Sequence, residues 1–574
     1  MRFIRNMLGV TAVMLFANLA LAQFIETPTP PPPSLKELEV PEVVETISGL
    51  PLVDQSVDGA GGFIKNKFAV IALGKALFWD TQVGSNGVAC ATCHYHAGAD
   101  AREKNQLSPG GKDGDTTFDP LATGGTAPNQ DFETADFPFH QFLDPDDRDS
   151  GVIFTTDDTS SSAGTYAQTF VDIVPGNPLD NCTNEASIFE VGGVLTRQVE
   201  PRNTPTVINA VFNFRQFWDG HANNIFNGVD PFGPRNPSAR VLEVQGGSVE
   251  QIQVAFANSS LASQAVGPIT SNLEMSCNGR TNQKIGKKLL SLAPLAQQQV
   301  HSSDSRLGWM SNSPGNGITQ SYQGLIALAF ATRLWDSDKL FDANLNEVGS
   351  GAPANTDEYT LMEANFGLFF GLAVQAYEAT LISDDTPYDQ FQEGNDAALT
   401  QQQQDGLDLF FTNDVGERGN CSTCHQGPTF TTAAFPFEEP DSGEFPEKEQ
   451  LVERMRMGDG EAIAENLFAY AVRGEGSFAG GNLSGVAGAY VLPSPYAAPV
   501  GGEFEYGSCV REVKSFQLGL DGDPATRDAT FMADCQENSC HPTQDDMAII
   551  TIVDGGPGAD TVTVDDDGVS PADR

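Results

Sequence analysis

Basic side chains are scarce in this 574-residue chain: 31 lysines and arginines stand against 77 aspartates and glutamates, a formal net charge of −46. A field of that sign repels nucleic acid and anionic lipid surfaces, so a nucleic-acid-binding role is excluded and basic protein partners are favoured. The same surplus also serves plain solubility in a salty medium. Histidine is scarce too, with seven in the chain, and cysteine numbers nine. Uninterrupted apolar runs are missing except at the start, where Met7 to Leu21 follows Arg2 and Arg5 and leads into Ala20-Leu21-Ala22. That is the pattern of a secretory leader, and the run is short for a membrane anchor. Residues 1–22 are therefore predicted to be a signal peptide, the mature chain periplasmic or secreted, with no stable membrane span after cleavage.

Residues 23–64 read as a proline-rich tether and N-terminal extension, stiffened by Pro30 to Pro33, with folded structure beginning near residue 35. From Gly98 to Asn184 the composition is rich in Gly, Asp, Ser and Thr, which predicts extended loop over the surface. Residues 521–574 read as an acidic irregular tail in which MAIITIV (547–553) is a short strand. A buried helix is predicted over 364–383, its apolar run broken by Gly367, Gly371, Gln375, Tyr377 and Glu378. A second helix opens at Thr400 with Gln403 three residues on, a capping box, and turns Leu407, Phe410 and Phe411 inward.

Two short stretches carry the chemistry. CATCH (90–94) and CSTCH (421–425) both have the spacing C-x-x-C-H. In a secreted chain this spacing marks c-type haem attachment: each cysteine forms a thioether and the histidine becomes the fifth iron ligand. A zinc site or a disulfide pair is the competing reading. The segments GKALFWDTQVGSNGVACATCH (74–94) and GLDLFFTNDVGERGNCSTCH (406–425) share Gly, Leu, Phe, Val, Gly and Gly at one offset, then both cysteines and the histidine after a one-residue gap. Duplication of a haem domain follows. The expected fold is mainly α, two cytochrome-c-like haem domains at 65–350 and 351–520 with long irregular loops. Of the other cysteines, Cys182 with Cys277, and Cys509 with Cys535 or Cys540, are plausible disulfides, and CQENSCH (535–541) also resembles a rarer third haem site ending in His541. No histidine near the first motif is placed to cap its iron: His96 lies too close to His94, while His140, His221 and His301 are distant and read equally well as structural. The first haem is therefore expected to keep an open position.

With RNTPTVINAVFNFRQFWDGHA (202–222) between the two motifs and YEATLISDDTPYDQF (377–391) before the second, the chain resembles the bacterial di-haem cytochrome c peroxidase superfamily over about residues 65–460. The resemblance implies two covalently bound haem c groups, held by Cys90, Cys93 and His94 and by Cys421, Cys424 and His425, with Trp218 as electron relay and Asn203 as a ligand to a calcium ion. Trp218 alone would read as a core aromatic. Two departures matter. The family's Gln and Glu, which move the proton in peroxide cleavage, fall on Gly228 and Ala239, leaving Asp230, or Glu243 under a shifted alignment. The run also resembles the rubber oxygenase subgroup, which implies an apolar pocket formed by Phe217, Trp218 and Phe232, dioxygen as co-substrate and an unsaturated hydrocarbon such as polyisoprene as substrate. The alternatives are hydrogen peroxide reduction fed by a small basic cytochrome, and pure electron transfer. The family's segment after the second haem has no counterpart here, so the chain is expected to be C-terminally incomplete, with Met455, Met457, Met532, Met547 or His541 standing in as the second haem's sixth ligand.

Overall fold

The structure is a computed structural model. It describes residues 31–41, 44–45 and 62–95, most of 100–411 with short breaks that include 110–115, 218–221 and 234–235, then 421–423, 425, 427–431 and 434, and five strands between 452 and 565. Trp218, His221, His96, Cys424, Met457, Cys509, Cys535, Cys540 and His541 lie outside the described residues, as does the leader. The side chains of Met455, Met532 and Met547 lie outside them too.

Two compact units divide the chain: Val40–Ile382 belongs to the larger one, while Ser383–Phe437 joins the segment ending at Glu39. In the larger unit α1 (Lys67–Trp79) begins where the Asn66 side chain accepts from the Ala69 amide at 3.0 Å, and nine of its thirteen residues are buried. The single turn α2 (Cys90–Cys93) follows, then α3 (Ser260–Ala265), α4 (Asn282–Leu290), α5 (Tyr322–Ala329) and α6 (Leu361–Ala364). The helix α7 (Phe366–Glu378) is apolar except at Gln375, Tyr377 and Glu378, and twelve of its thirteen residues are buried, as such a composition requires. It runs against α1 at such close range that a Cβ on Gly74 would stand 1.8 Å from the Ala373 carbonyl oxygen. The buried helix predicted at 364–383 is present but shorter. Helices α6 and α7 belong to this unit, where α7 packs on α1.

The sheets are all two- or three-stranded among the described residues. Val241–Gln245 pairs antiparallel with Ser248–Ile252, and Lys339–Phe341 pairs with both Glu347–Ser350 and Tyr359–Thr360. The stretch 98–184, expected as surface loop, instead carries short antiparallel pairs: Leu107–Ser108 with Thr159–Ser160, His140–Phe142 with Val152–Thr155, and Gln168–Asp172 with Asn181–Asn184. Local polarity concealed them because the strands are short and most face solvent. A disulfide joins Cys182 to Cys277, as the spacing of the cysteines allows. Beside it Asp180 pairs with Arg280 at 2.7 Å and with Lys288 at 3.2 Å, all three side chains fully buried.

In the smaller unit the end of the proline-rich stretch is docked rather than free. Tyr388 Oη donates to the Pro32 carbonyl at 2.6 Å, and the Asp389 carboxylate of α8 (Pro387–Gln392) accepts from the Leu35 amide at 2.8 Å and from Ser34 Oγ at 3.2 Å. Helix α9 (Gln401–Phe411) opens as expected, with Thr400 and Gln403 each accepting from the other's amide. Its Phe411 is buried, while Leu407 and Phe410 are half-buried. The tail, which groups with the larger unit, contains the expected strand, Met547–Val553, between Ala529–Asp534 and Thr561–Asp565.

Candidate functional site

The larger unit encloses a cavity of about 470 Å³ whose wall contains Cys90, Cys93 and His94. What brings them there is the loop after α1. Asp80, fully buried, accepts from the Gln82 amide (2.9 Å) and side chain (3.0 Å), the Leu295 amide (2.7 Å) and Tyr322 Oη (2.7 Å). A buried carboxylate with four donors is fully compensated, and it anchors the turn that leads to α2. One helical turn then sets Cys90, Cys93 and His94 on one side at i, i+3 and i+4, with the His94 amide donating to the Cys90 carbonyl at 3.1 Å.

His94 Nδ1 lies 2.9 Å from the Pro205 carbonyl oxygen. A carbonyl only accepts, so Nδ1 carries the proton and Nε2 keeps its lone pair for a metal. The second motif repeats this: His425 Nδ1 lies 3.0 Å from the Phe430 carbonyl, and the His425 amide donates to the Cys421 carbonyl at 3.0 Å. The duplication extends to the aromatic neighbours. Phe78 is 6.3 Å from His94 at 48°, and Phe410, its counterpart, is 6.3 Å from His425 at 51°.

These residues fit a covalently attached haem. Burial pushes the Cys90 and Cys93 thiols above their ordinary pKa, so in this chain they stand as thiols, the form that adds across a vinyl group. Neither is in a disulfide, and among the described residues no three His, Cys, Asp or Glu side chains converge as a metal cluster. The wall beyond the motif is largely apolar, with Val88, Val207, Leu273 and Val374 among its residues.

Phe217 lines the cavity, holding a backbone φ of +63°. An aromatic residue in the left-handed region is held there against its preference by about 1 kcal/mol or more, a cost found mostly at functional positions. Phe232 is not in that wall. It lines a neighbouring recess of about 450 Å³ that shares Pro231, Gly267 and Ser271 with the cavity, because the turn from Asn227 to Phe232 points it there. Asn203 stands exposed at the cavity edge and donates to the Ser160 carbonyl at 3.1 Å. The two carboxylates weighed as proton carriers are committed elsewhere. Asp230 accepts from Asn227, Asn236 and the Phe232 amide, and Glu243 pairs with Arg333. Glycine at 228 is required by its backbone, φ +84°, and by Val241, whose Cγ1 a Cβ would meet at 2.7 Å. His140 and His301 bond Thr155 and Ser303.

The carboxylates that do line the cavity come from other elements: Glu200, Glu274 and Glu378. Glu378, at the C-terminal end of α7, is 6% exposed, and burial alone pushes its pKa up to about 8. Sequence reading met Glu378 only as an interruption of an apolar helix; a lone acid at the end of such a run was the available signal. Met275, 3% exposed, also lines the cavity, and no sequence pattern marks it. Its thioether is of the type that can fill a sixth haem position.

Residues 177–305 match a family model described as di-haem cytochrome c peroxidase. That segment holds Asn203, Phe217 and Phe232, and neither C-x-x-C-H motif. The chain is 27% identical over 253 residues to the cytochrome c551 peroxidase of Pseudomonas aeruginosa, covering 43% of this chain and 44% of that protein. It is 44% identical over 55 residues to the cytochrome-c peroxidase IdrP2 of Denitromonas iodatirespirans, covering 10% and 14%. The aligned regions thus span less than half the length of either relative. The family model and both relatives carry the same description, cytochrome c peroxidase, and that is what this part of the chain is similar to.

Proposed function

We propose that the chain is a c-type di-haem oxidoreductase that reduces hydrogen peroxide at the Cys90–Cys93–His94 cavity with electrons from a small basic redox protein. The observation that carries this reading is Glu378: the proton-moving group absent at Ala239 and Gly228 has an equivalent in the cavity wall, supplied by a different element. A haem bound there would provide the redox-active iron. Cys90 and Cys93 would tether it, and His94, oriented by the Pro205 carbonyl, would present Nε2 to the metal. Glu378 holds a proton on its carboxyl at neutral pH, because no bulk water solvates the ionised form. It is therefore suited to protonate a leaving oxygen. The apolar wall limits water. The second motif, His425 and its cysteines, would hold the electron-storing haem, and Trp218 is proposed as relay. The net charge of −46 supports a basic donor, and the Cys182–Cys277 disulfide supports an oxidising compartment.

One observation favours a second reading, dioxygen-dependent cleavage of an unsaturated hydrocarbon: the cavity is mainly apolar and Phe217 stands in it. The deciding experiment mixes haem-loaded protein with a reduced small cytochrome c and hydrogen peroxide. The peroxidase reading expects two cytochromes oxidised per peroxide. No oxidation, together with dioxygen uptake on a polyisoprene emulsion, would replace it with the oxygenase reading.

A further inference from the structure

Behind the cavity, α1 and α7 bring together an aromatic group that the reading above does not use. Trp79 Nε1 donates to Tyr377 Oη at 3.0 Å. Phe78 lies between this pair and the haem motif, its ring 5.4 Å from Tyr377, 6.0 Å from Trp79 and 6.3 Å from His94. Tyr377 is 5% exposed, whereas Trp79 is half-buried, so the group leads from the cavity wall toward solvent. Lys75 Nζ stands 5.9 Å from the centre of the Tyr377 ring and pairs with Asp304 at 2.8 Å.

We propose that Trp79, held by Tyr377, is a one-electron donor to the haem of this cavity, an internal redox site that discharges oxidising equivalents when no donor protein is bound. The inference rests on the peroxide reading. Each peroxide takes two electrons and two protons and leaves as two waters. Without a donor, one electron comes from the haem group and the other from the Trp79 indole across the Phe78 contact, while the protons come from the cavity carboxyl and water. Trp79 keeps its Nε1 proton on Tyr377 Oη, so the product is an indole radical cation and no base is needed. Tyr377 is the poorer donor for two reasons. Its hydroxyl has no acceptor for its own proton among the described residues, and the Lys75 ammonium over its ring opposes positive charge there. Its role is to position Trp79.

The test is freeze-quench electron paramagnetic resonance on the full, haem-loaded chain after one equivalent of hydrogen peroxide without donor, with residual peroxide assayed in the same samples. The wild type should show an organic radical whose hyperfine pattern changes on ring-deuteration of tryptophan. Trp79→Phe should lower it at least tenfold. Tyr377→Phe should alter its shape and lifetime, and Trp309→Phe, an exposed tryptophan at 65%, should leave it unchanged. Haem absorbance and circular dichroism establish that each variant is folded. An undiminished signal in Trp79→Phe overturns the proposal. If the wild type leaves peroxide intact, the peroxide reading fails by itself. The pair is then tested by flash photo-oxidation with a ruthenium dye in the Trp309→Phe background, where a tryptophan radical persisting in Trp79→Phe overturns it.

Discussion

At the scale of the residue, Glu378 shows how environment sets chemistry. An exposed glutamate releases its proton near pH 4.5, and this one holds it up to about pH 8 because of burial. Between those values the folded chain binds more protons than the unfolded one, so this group's effect is to lower stability as pH rises through that window. Glu378→Gln removes the penalty. The variant should match the wild type near pH 4 and gain on it toward pH 8, by at most roughly 5 kcal/mol at about 1.4 kcal/mol per pH unit, read as the difference in thermal midpoints of the two holoproteins at several pH values. Turnover should move the opposite way: kcat/KM for peroxide should fall by about 10²- to 10⁴-fold, the usual contribution of a positioned acid, with haem content unchanged. Near the positions of the family's Gln and Glu the sequence leaves only Asp230, or Glu243 under a shifted alignment. Both are acids near the right motif in the chain, and both are consumed by local hydrogen bonds or an ion pair.

At the scale of the element, the contact between α1 and α7 sets the site. Cys90 and His94 follow α1, Glu378 closes α7, and the distance between them depends on a glycine. Gly74→Ala would drive a methyl into the Ala373 carbonyl, and neither backbone can yield without shifting its helix. The expected result is a loss of about 1–3 kcal/mol or more, seen in chemical denaturation, together with reduced covalent haem content because α2 no longer meets its wall. The helices themselves were legible. Apolar runs and the Thr400–Gln403 box located α7 and α9, since cap and burial signals are local. The hairpins within 98–184 were not, because two- to five-residue strands with exposed faces leave no period to read. The partner of α7 cannot be read from its own composition, since every residue of an apolar helix offers the same kind of surface.

At the scale of the whole molecule, the polar stretch 98–184 is fastened to the larger unit by the Cys182–Cys277 disulfide and by the buried Asp180, Arg280 and Lys288 cluster. The same stretch contributes Ser162 and Gly164 to the cavity wall. Replacing both cysteines with alanine should therefore lower stability by about 2–4 kcal/mol in thermal unfolding, and a reductant should shift the wild type but not the variant. In the smaller unit the N-terminal segment reaches the second motif through a chain of contacts: Pro32 to Tyr388, Tyr388 to Phe430 at 5.0 Å, and the Phe430 carbonyl to His425. The sequence by itself determined the two C-x-x-C-H turns, the duplication around them, the helix caps and the acidic surface, because each depends on residues close in the chain or on composition summed over it. Only the tertiary structure decided that His94 and His425 each rest on a backbone carbonyl, that Phe217 faces the cavity and Phe232 its neighbour, and that Glu378 and Trp79 stand beside the first motif. The contact of His425 spans only five positions, but Trp79 and its partner Tyr377 are 298 apart, and what brings Trp79 and Glu378 to the first motif is the packing of apolar helices, to which no local pattern gives an address.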